Sequence, residues 1–300
     1  MHLTFLRDLR ALFTLLAALL AACAHAQGGS TPLLYEVKSQ STTVYLFGTI
    51  HVGAKKLYPL GAAVEIAFAG SKVLALEADP DDQASLMDAM RSGMYRPPDE
   101  LSKHISPALY AKLQAALPKI GLPIEYARAM KPYLLGMTIA MMEVQREGYD
   151  AQLGLDVHFA TLARQEGKQI VELESFAEQI ALFNDMPAEV QEAVLQTSLD
   201  SIDDGSFRKD LDALVTAWSQ GNAEGILDST KREMDDLPDA TAKALYERIY
   251  DERNARMAKK IEGFLGDGRT VFVAVGAGHL VGPAGLPDLL QAKGYAVRRL

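Results

Sequence analysis

Two apolar, strand-like runs lie almost a whole chain apart, and each ends in a Gly-x-x-His motif. The first extends from Val44 to His51 and the second from Val271 to His279. Runs of β-branched and aromatic residues with little polar alternation are typical of strands buried on both faces. The strand-like segments at either end of the chain are too few to form a stable sheet alone, so the last strands must pair beside the first.

The sequence therefore predicts an α/β fold with a mixed central sheet, built from N- and C-terminal strands, and a large helical insertion or cap. Six short segments bounded by Gly, Pro, Ser or Asp are predicted as strands, at 33–38, 44–50, 73–77, 169–173, 270–275 and 296–300. Capping patterns predict helices that start at Ser106-Pro107 and at Ser175. Helical periodicity predicts further helices over 187–201, 207–218 and 240–265.

One helical segment in the middle of the chain, residues 133–142, is apolar on all sides and contains Met137, Met141 and Met142. A helix of this kind is typical of a buried core. The alternative is a methionine-rich, flexible wall of a substrate groove, because the unbranched thioether side chain adapts to irregular apolar partners.

The first 26 residues have the three-part layout of a secretory signal, with basic residues, an apolar run and an Ala-x-Ala ending at Ala26. The apolar run is about 12 residues long, shorter than the roughly 20 that a bilayer span requires. We therefore expect 1–26 to be a signal peptide and 27–300 to form a single domain. The mature protein is expected in the bacterial periplasm or cell envelope, without a transmembrane span.

The single cysteine, Cys23, follows Leu20-Ala21-Ala22, which resembles a lipoprotein processing box. Two outcomes stay open. Cleavage after Ala26 releases a cysteine-free protein, whereas cleavage before Cys23 leaves a lipid anchor on the new N-terminus. One cysteine forms no disulfide within the chain, so stability has to come from the apolar core.

The formal net charge of −9 makes the chain acidic. Proteins that bind nucleic acid usually carry a basic patch or stripe, so nucleic acid is not an expected partner. A solvated acidic surface accounts for the charge without an acidic binding site.

Both histidines of the Gly-x-x-His motifs follow predicted buried strands, and ligands in open α/β sheets bind at the carboxyl ends of such strands. Gly48 and Gly276 let the backbone turn sharply or approach a ligand closely. The two motifs therefore predict that His51 and His279 face a shared crevice.

Two glutamates, Glu77 and Glu174, also follow predicted strands. Two imidazoles and two carboxylates at one sheet edge suit a borderline divalent metal, with positions left for water and substrate. A nearby carboxylate can then accept a proton. For either glutamate alone, a helix-cap or salt-bridge role is the alternative.

Four further residues lie in patterns that bear on the site. Arg253 and Asn254 can donate hydrogen bonds to a developing oxyanion or orient a carboxylate, although their sequence context by itself favours a solvated charged helix face. Asp156, after Gly154-Leu155, is a candidate carboxylate in the first turn of a helix that starts there. Its neighbour His158 is interpreted as an ordinary helix residue.

Taken in order, these motifs resemble those of the TraB/GumN family, which is related to the Tiki metalloproteases. The resemblance spans residues 33–300 and rests on Gly48-Thr49-Ile50-His51, Leu76-Glu77, Gly154-Leu155-Asp156, Leu173-Glu174 within 168–179, Arg253-Asn254 and Gly276-Ala277-Gly278-His279. It implies a fold distantly related to erythromycin esterase and to the haem-associated protein ChaN. Through the Tiki branch it implies a divalent-metal-dependent peptidase.

We therefore expect an exported, divalent-metal-dependent hydrolase, a peptidase acting on peptide or protein substrates. The expected roles are metal ligands for Mn, Co or Zn at His51, Glu77 and His279, a base at Glu174, and a polarising or supporting pair at Arg253 and Asn254. Two alternatives stay open. One is a metal-independent, esterase-like hydrolase with His51 as general base, and the other is a non-catalytic envelope protein that binds haem or a polysaccharide.

Overall fold

The computed structural model describes residues 32–232, 234 and 237–300. The predicted signal peptide and Cys23 lie outside the described residues. In the described part, six strands form one sheet, with the bounds β1 Leu34–Lys38, β2 Thr43–Thr49, β3 Val73–Leu76, β4 Gln169–Glu172, β5 Val271–Gly276 and β6 Ala296–Arg299. All six predicted strands are therefore present, with ends shifted by one residue at most positions.

The strand order is β4-β3-β5-β2-β1-β6. Strands β2, β5, β3 and β4 run parallel, whereas β1 pairs antiparallel with both β2 and β6. Strand β5, from the C-terminal part of the chain, therefore lies between two strands from the first third of the chain. This arrangement confirms the mixed α/β fold with strands from both chain ends.

The central strands β3 and β5 are buried along almost their whole length, which explains their continuous apolar sequences. Their side chains join a large core cluster that also includes Trp218. The indole N–H of this fully buried tryptophan donates a hydrogen bond to the carbonyl oxygen of Gly48 at 2.8 Å. A helix from the middle of the chain is thereby tied to β2 just before His51.

The helices begin and end as follows: α1 Ala62–Ala69, α2 Gln83–Ser92, α3 Pro107–Ile120, α4 Ile124–Ala127, α5 Pro132–Arg146, α6 Leu155–Gln165, α7 Phe176–Asn184, α8 Ala188–Asp204, α9 Ser206–Ser219, α10 Ala223–Arg232, α11 Asp239–Tyr246, α12 Glu252–Asp267 and α13 Leu286–Ala292. The two predicted helix starts are confirmed. Ser106 caps α3 by accepting the Leu109 N–H, and Ser175 forms a capping box with Glu178 at the start of α7.

The helical insertion has a second core, in which residues of α3, α5 and α8 pack together away from the sheet. The predicted buried helix at 133–142 is only partly buried. Tyr133, Leu135 and Ile139 of α5 are buried, whereas Met137 and Met141 are exposed. Among the described helices, none combines the length and apolar character needed to cross a bilayer.

The segment predicted as one helix over 240–265 is helical but not uniform. A π-helical turn, Glu247–Asp251, separates α11 from α12. A π turn accommodates more residues per turn than an α-helix, so it changes which face the following residues present. Arg253 and Asn254, in the first turn of α12, are both buried, so the solvated-face interpretation of this pair is wrong.

Candidate active site

The carboxyl ends of β2, β3 and β5 lie side by side because these strands are parallel neighbours. Thr49 of β2 pairs with Gly276 of β5, and Leu76 of β3 pairs with Ala274. The residues that follow the strands, His51 and Glu77, therefore meet at one edge of the sheet. Gly48 lets β2 pack closely against Ala277, because a Cβ at position 48 would lie 3.2 Å from the Ala277 Cα.

Glu77 is a buried carboxylate surrounded by hydrogen-bond donors. Its Oε1 accepts the Gly276 N–H at 2.7 Å, and its Oε2 accepts Arg253 Nη2 at 2.5 Å and Gln179 Nε2 at 3.1 Å. Burial pushes the pKa of Glu77 upward, but electrostatic interactions with His279, His51 and Arg253 and the hydrogen bond from the Gly276 N–H outweigh this effect and bring the pKa to about 2. The site therefore contains a carboxylate that stays ionised despite its burial.

His279 is buried, and its ring is oriented by Asn254. The side-chain amide of Asn254 donates to the Ala284 carbonyl at 2.9 Å, so its Oδ1 faces His279 Nδ1 at 2.6 Å and accepts the ring proton. Burial lowers the pKa of His279 to about 4, which keeps the ring neutral. Its Nε2 lone pair lies 3.7 Å from Glu77 Oε1.

His51 has a similar arrangement with a carboxylate in place of the amide. Its Nδ1 lies 2.8 Å from Asp156 Oδ2, while the Thr49 hydroxyl donates to Asp156 Oδ1 at 2.9 Å. The Asp156 carboxylate raises the pKa of His51 to about 9. The His51 side chain is 64% exposed, so this half of the site is open to solvent.

A glycine turn positions Asp156 beside His51. A Cβ on Gly154 would lie only 2.4 Å from the His51 carbonyl oxygen, and the next N–H, of Leu155, donates to the Ile50 carbonyl at 3.2 Å. The turn therefore packs directly against the backbone of the first histidine motif. Helix α6 starts at Leu155, which places Asp156 in its first turn as predicted.

Arg253 connects the two buried glutamates. Its Nε donates to Glu174 Oε1 at 3.1 Å and Oε2 at 2.9 Å, and its Nη2 donates to Glu174 Oε2 at 2.6 Å as well as to Glu77. Its Nη1 donates to the Ile249 carbonyl of the π-helical turn at 3.2 Å. Both oxygens of Glu174, the predicted base, therefore accept hydrogen bonds from one guanidinium group.

Gly276 lies where the three predicted metal ligands converge. A Cβ at this position would lie 3.3 Å from Glu77 Oε1, 3.5 Å from His51 Nε2 and 3.7 Å from His279 Cδ2. The missing side chain thus leaves a methyl-sized volume bordered by all three groups. In the described part of the chain, no three His, Cys, Asp or Glu side chains are grouped as a ready-made metal site, but the donor types around Gly276 fit a divalent metal ion.

The structure thus brings together all six residues to which the sequence assigned a catalytic or metal-binding role. Sequence reasoning missed two contacts, those of Asp156 with His51 and of Gln179 with Glu77. A glycine turn before an acidic first-turn residue was the available signal for the first contact. For the second, the signal was a long amide side chain shortly after Glu174, in the first turns of α7.

Comparison with known proteins identifies the family of this chain. A model of the TraB/PrgY/gumN family matches residues 33–299. The chain belongs to this family. The resemblance inferred from the ordered motifs is thereby confirmed.

Several curated relatives share this similarity. The chain is 26% identical to "Uncharacterized protein YbaP" of Escherichia coli (strain K12), over 82% of this chain and 87% of the relative. It is 25% identical to "Metalloprotease TIKI homolog" of Amphimedon queenslandica, over 87% of this chain and 60% of the relative. It is 24% identical to "Metalloprotease TIKI1" of Danio rerio, over 84% and 60%. No solved structure matches the chain significantly.

Proposed function

We propose that this chain is an exported, divalent-metal-dependent hydrolase that cleaves peptide bonds. The observation that carries the proposal is the arrangement around Gly276. The His51 and His279 rings are each hydrogen-bonded through Nδ1 to a side-chain oxygen. Both rings border the same small volume as the ionised, buried carboxylate of Glu77. The similarity to proteins named as TIKI metalloproteases supports the same reaction class.

In this proposal His51, Glu77 and His279 hold the ion, which is Mn, Co or Zn. Such an ion supplies a Lewis acid that polarises a substrate carbonyl. Asp156 and Asn254 accept the Nδ1 protons of the two histidines. Outer partners of this kind fix the tautomer and ring direction of metal-binding histidines, so Nε2 of each ring is the atom available to a metal.

The remaining residues keep the charges of the site balanced. Arg253 donates to both Glu77 and Glu174, and Glu77 also receives the Gly276 N–H. A buried carboxylate without such partners would take up a proton. Arg253 therefore keeps Glu77 in the anionic form, and the open side of the site at His51 admits the substrate.

The decisive test measures bound metal and peptidase activity on the same samples of mature protein. His51→Ala removes an exposed side chain, so the fold should survive while metal content and activity fall together. The matched control is His104→Ala, since His104 also pairs with a carboxylate, Asp99, but lies in the helical insertion. Full peptidase activity in His51→Ala, or a parent protein that is active without any divalent metal, would refute the proposal.

Two roles for Glu174 are separated by Glu174→Gln. If Glu174 is the base, turnover should drop by about 10²-fold or more while bound metal is retained. If it only positions Arg253, bound metal and activity should fall together, because Arg253 holds Glu77. The free energy of unfolding should fall in both cases, by about 1.5–3 kcal/mol, because a charge-assisted hydrogen-bond pair is weakened. The Arg253 contacts favour the positioning role. Metal analysis with the activity assay distinguishes the two outcomes, and denaturant unfolding measures the change in stability.

A metal-independent, esterase-like hydrolase is the second candidate, and the contact between His51 and Asp156 favours it. A histidine oriented by a carboxylate can act as a general base. At a His51 pKa of about 9 the ring is protonated at neutral pH, and it must release the Nε2 proton either to act as a base or to bind a metal, so this pKa does not separate the two candidates. Ester hydrolysis that persists in a chelator and is lost in His51→Ala would support this candidate. Haem or glycan binding without turnover would support a non-catalytic role.

Export is part of the proposal and rests on the layout of residues 1–26. We propose that this segment is removed and that residues 27–300 act as one domain. Mass spectrometry of the protein from its native envelope fraction identifies the mature N-terminus. A free Gln27 indicates signal-peptide cleavage after Ala26, and an acylated Cys23 indicates a lipid anchor. An uncleaved chain in the cytoplasm would contradict both.

A further inference from the structure

We propose that an exposed strip of methionines beside the candidate site binds an apolar segment of the peptide substrate. The methionine strip consists of Met87 and Met90 on α2 and Met137 and Met141 on α5. This inference rests on the proposed function and adds to it the class of substrate, namely peptides with apolar side chains.

The exposure of these four residues is the first observation. Their exposed fractions are 53% for Met87, 42% for Met90, 42% for Met137 and 37% for Met141. Among the described residues, only three other large apolar side chains are exposed to this degree, at Ile66, Tyr126 and Leu300. Single exposed apolar residues are normal on protein surfaces, whereas a concentration of them indicates a binding surface.

The two helices that carry the strip meet end to end. A Cβ on Gly93, at the end of α2, would lie 2.8 Å from Leu134 Cδ2 and 2.8 Å from the Tyr133 hydroxyl oxygen, in the first turn of α5. Met90 precedes this contact by one helical turn, and Met137 follows Tyr133 by one turn. Residues three and four apart share a helix face, so the methionines of both helices flank one contact and form a single strip.

Helix α7 links the strip to the candidate site. Near the start of α7, Gln179 donates to Glu77 Oε2 at 3.1 Å. One turn later Phe183 stacks on Tyr133 of α5, with ring centroids 6.2 Å apart and an interplanar angle of 17°. One helical turn rises about 5.4 Å, which corresponds to about two residues of extended peptide. With the ring separation and the further turn from Tyr133 to Met137 included, the path from Glu77 to the strip corresponds to about six residues of extended peptide.

The chemistry of the strip selects an apolar occupant. Methionine side chains are flexible and polarisable, and surfaces rich in them accept apolar groups of varied shape. The neighbouring charges on α2 are already paired, since Arg91 donates to Asp88 at 2.7 Å. The strip is therefore expected to favour leucine, phenylalanine or similar side chains over charged ones, with little preference among the apolar residues.

The test compares two peptides that differ only in having Leu and Phe or Ser and Gln at positions about four to six residues from the cleaved bond, on either side of it. Binding is measured by fluorescence anisotropy and turnover by chromatography, using the mature, metal-loaded protein. Met137→Gln combined with Met141→Gln should weaken binding of the apolar peptide about tenfold and raise its KM, with kcat unchanged. Binding of the polar peptide should not change. The control Ile66→Gln removes an equally exposed apolar side chain outside the strip and should have no effect.

Four outcomes overturn this inference. The strip has no role in substrate binding if the parent protein binds both peptides with equal affinity. The same holds if the double variant binds the apolar peptide as tightly as the parent does. A dimer in light scattering that dissociates on Met137→Gln/Met141→Gln would assign the strip to a second copy of the chain. Binding to phosphatidylglycerol vesicles that is lost in the same variant would assign it to a lipid surface. If the apolar peptide binds through the strip but no peptide is cleaved, the hydrolase proposal fails and the binding surface remains.

Discussion

At the scale of single residues, the absence of a side chain at Gly276 is as important as the groups around it. Its backbone is in an ordinary extended conformation, with φ −49° and ψ 135°, so alanine fits the backbone here. The conflict arises only with Glu77 and His51, which an added methyl group would contact at 3.3 and 3.5 Å. This position therefore separates an effect on the site from an effect on the fold.

We predict that Gly276→Ala reduces both bound metal and peptidase activity by at least about tenfold, because the methyl group takes the volume between the ligands. The free energy of unfolding should change by less than about 1 kcal/mol. Gly263→Ala in α12 is the control, since a Cβ there meets nothing within 4 Å, and replacing a helical glycine should stabilise by up to about 1 kcal/mol. Full metal content in Gly276→Ala would show that the ion binds elsewhere.

Asp156 offers a second test at this scale. Asp156→Asn removes the charge that holds His51, so the affinity for the metal should fall about 10- to 100-fold, as is typical for outer partners of metal-binding histidines. Metal titration by calorimetry measures the change. Asp99→Asn is the matched control, because Asp99 holds the exposed ring of His104 in the same way at 2.8 Å. Equal affinities in the parent and Asp156→Asn would remove Asp156 from the metal site.

At the scale of helices and strands, the π-helical turn Glu247–Asp251 is the element that most affects the site. It lies between two regular helices and immediately precedes Arg253 and Asn254. The carbonyl of Ile249 in this turn accepts a hydrogen bond from Arg253 Nη1. The turn therefore directs one short stretch of helix toward both Glu77 and His279.

Helix α6 provides a pH-dependent test of packing. His158 lies on this helix with its ring 4.8 Å from that of Tyr58, and burial lowers its pKa below the usual 6.5 against a weaker opposing effect of Glu65. The unfolded chain then binds the proton more readily, so His158 should reduce stability as pH falls below 6.5. Between pH 7.5 and 5.5 the parent should lose more unfolding free energy than His158→Phe. Urea unfolding at both pH values measures this, and an equal loss would show that His158 has the same pKa in the folded and unfolded states.

At the scale of the whole molecule, the proposed ion joins distant parts of the chain. His51 follows β2, Glu77 follows β3 and His279 follows β5, so the ligands come together only in the folded protein. A ligand that binds only the folded state at one hundred times its Kd stabilises it by about 2.7 kcal/mol. Chelation should therefore lower the Tm of the parent by about 5 °C or more. His51→Ala should show little response, and an unchanged parent Tm would contradict a tightly bound ion.

The sequence alone determined the six strands, several of the helices and the residues proposed for the site. Short apolar or β-branched segments bounded by Gly, Pro, Ser or Asp identified all six strands. The continuous apolar runs among them include β3 and β5, which are buried on both faces. Capping residues such as Ser106 and Ser175 identified helix starts, because their hydrogen bonds are local. Glycine, histidine and glutamate directly after strands identified the site, because the carboxyl ends of parallel strands meet at one edge of a sheet.

Tertiary structure decided the features that depend on contacts between distant segments. The burial of Arg253 follows from the π-helical turn and from two glutamates on other elements, and no local pattern contains that information. The pairing of Asp156 with His51 likewise depends on how the Gly154 turn packs against β2. The exposure of Met137 on an otherwise apolar helix depends on which neighbours cover each face. Local sequence fixes backbone preference and hydrogen-bonding type, whereas burial and pairing are properties of the assembled fold.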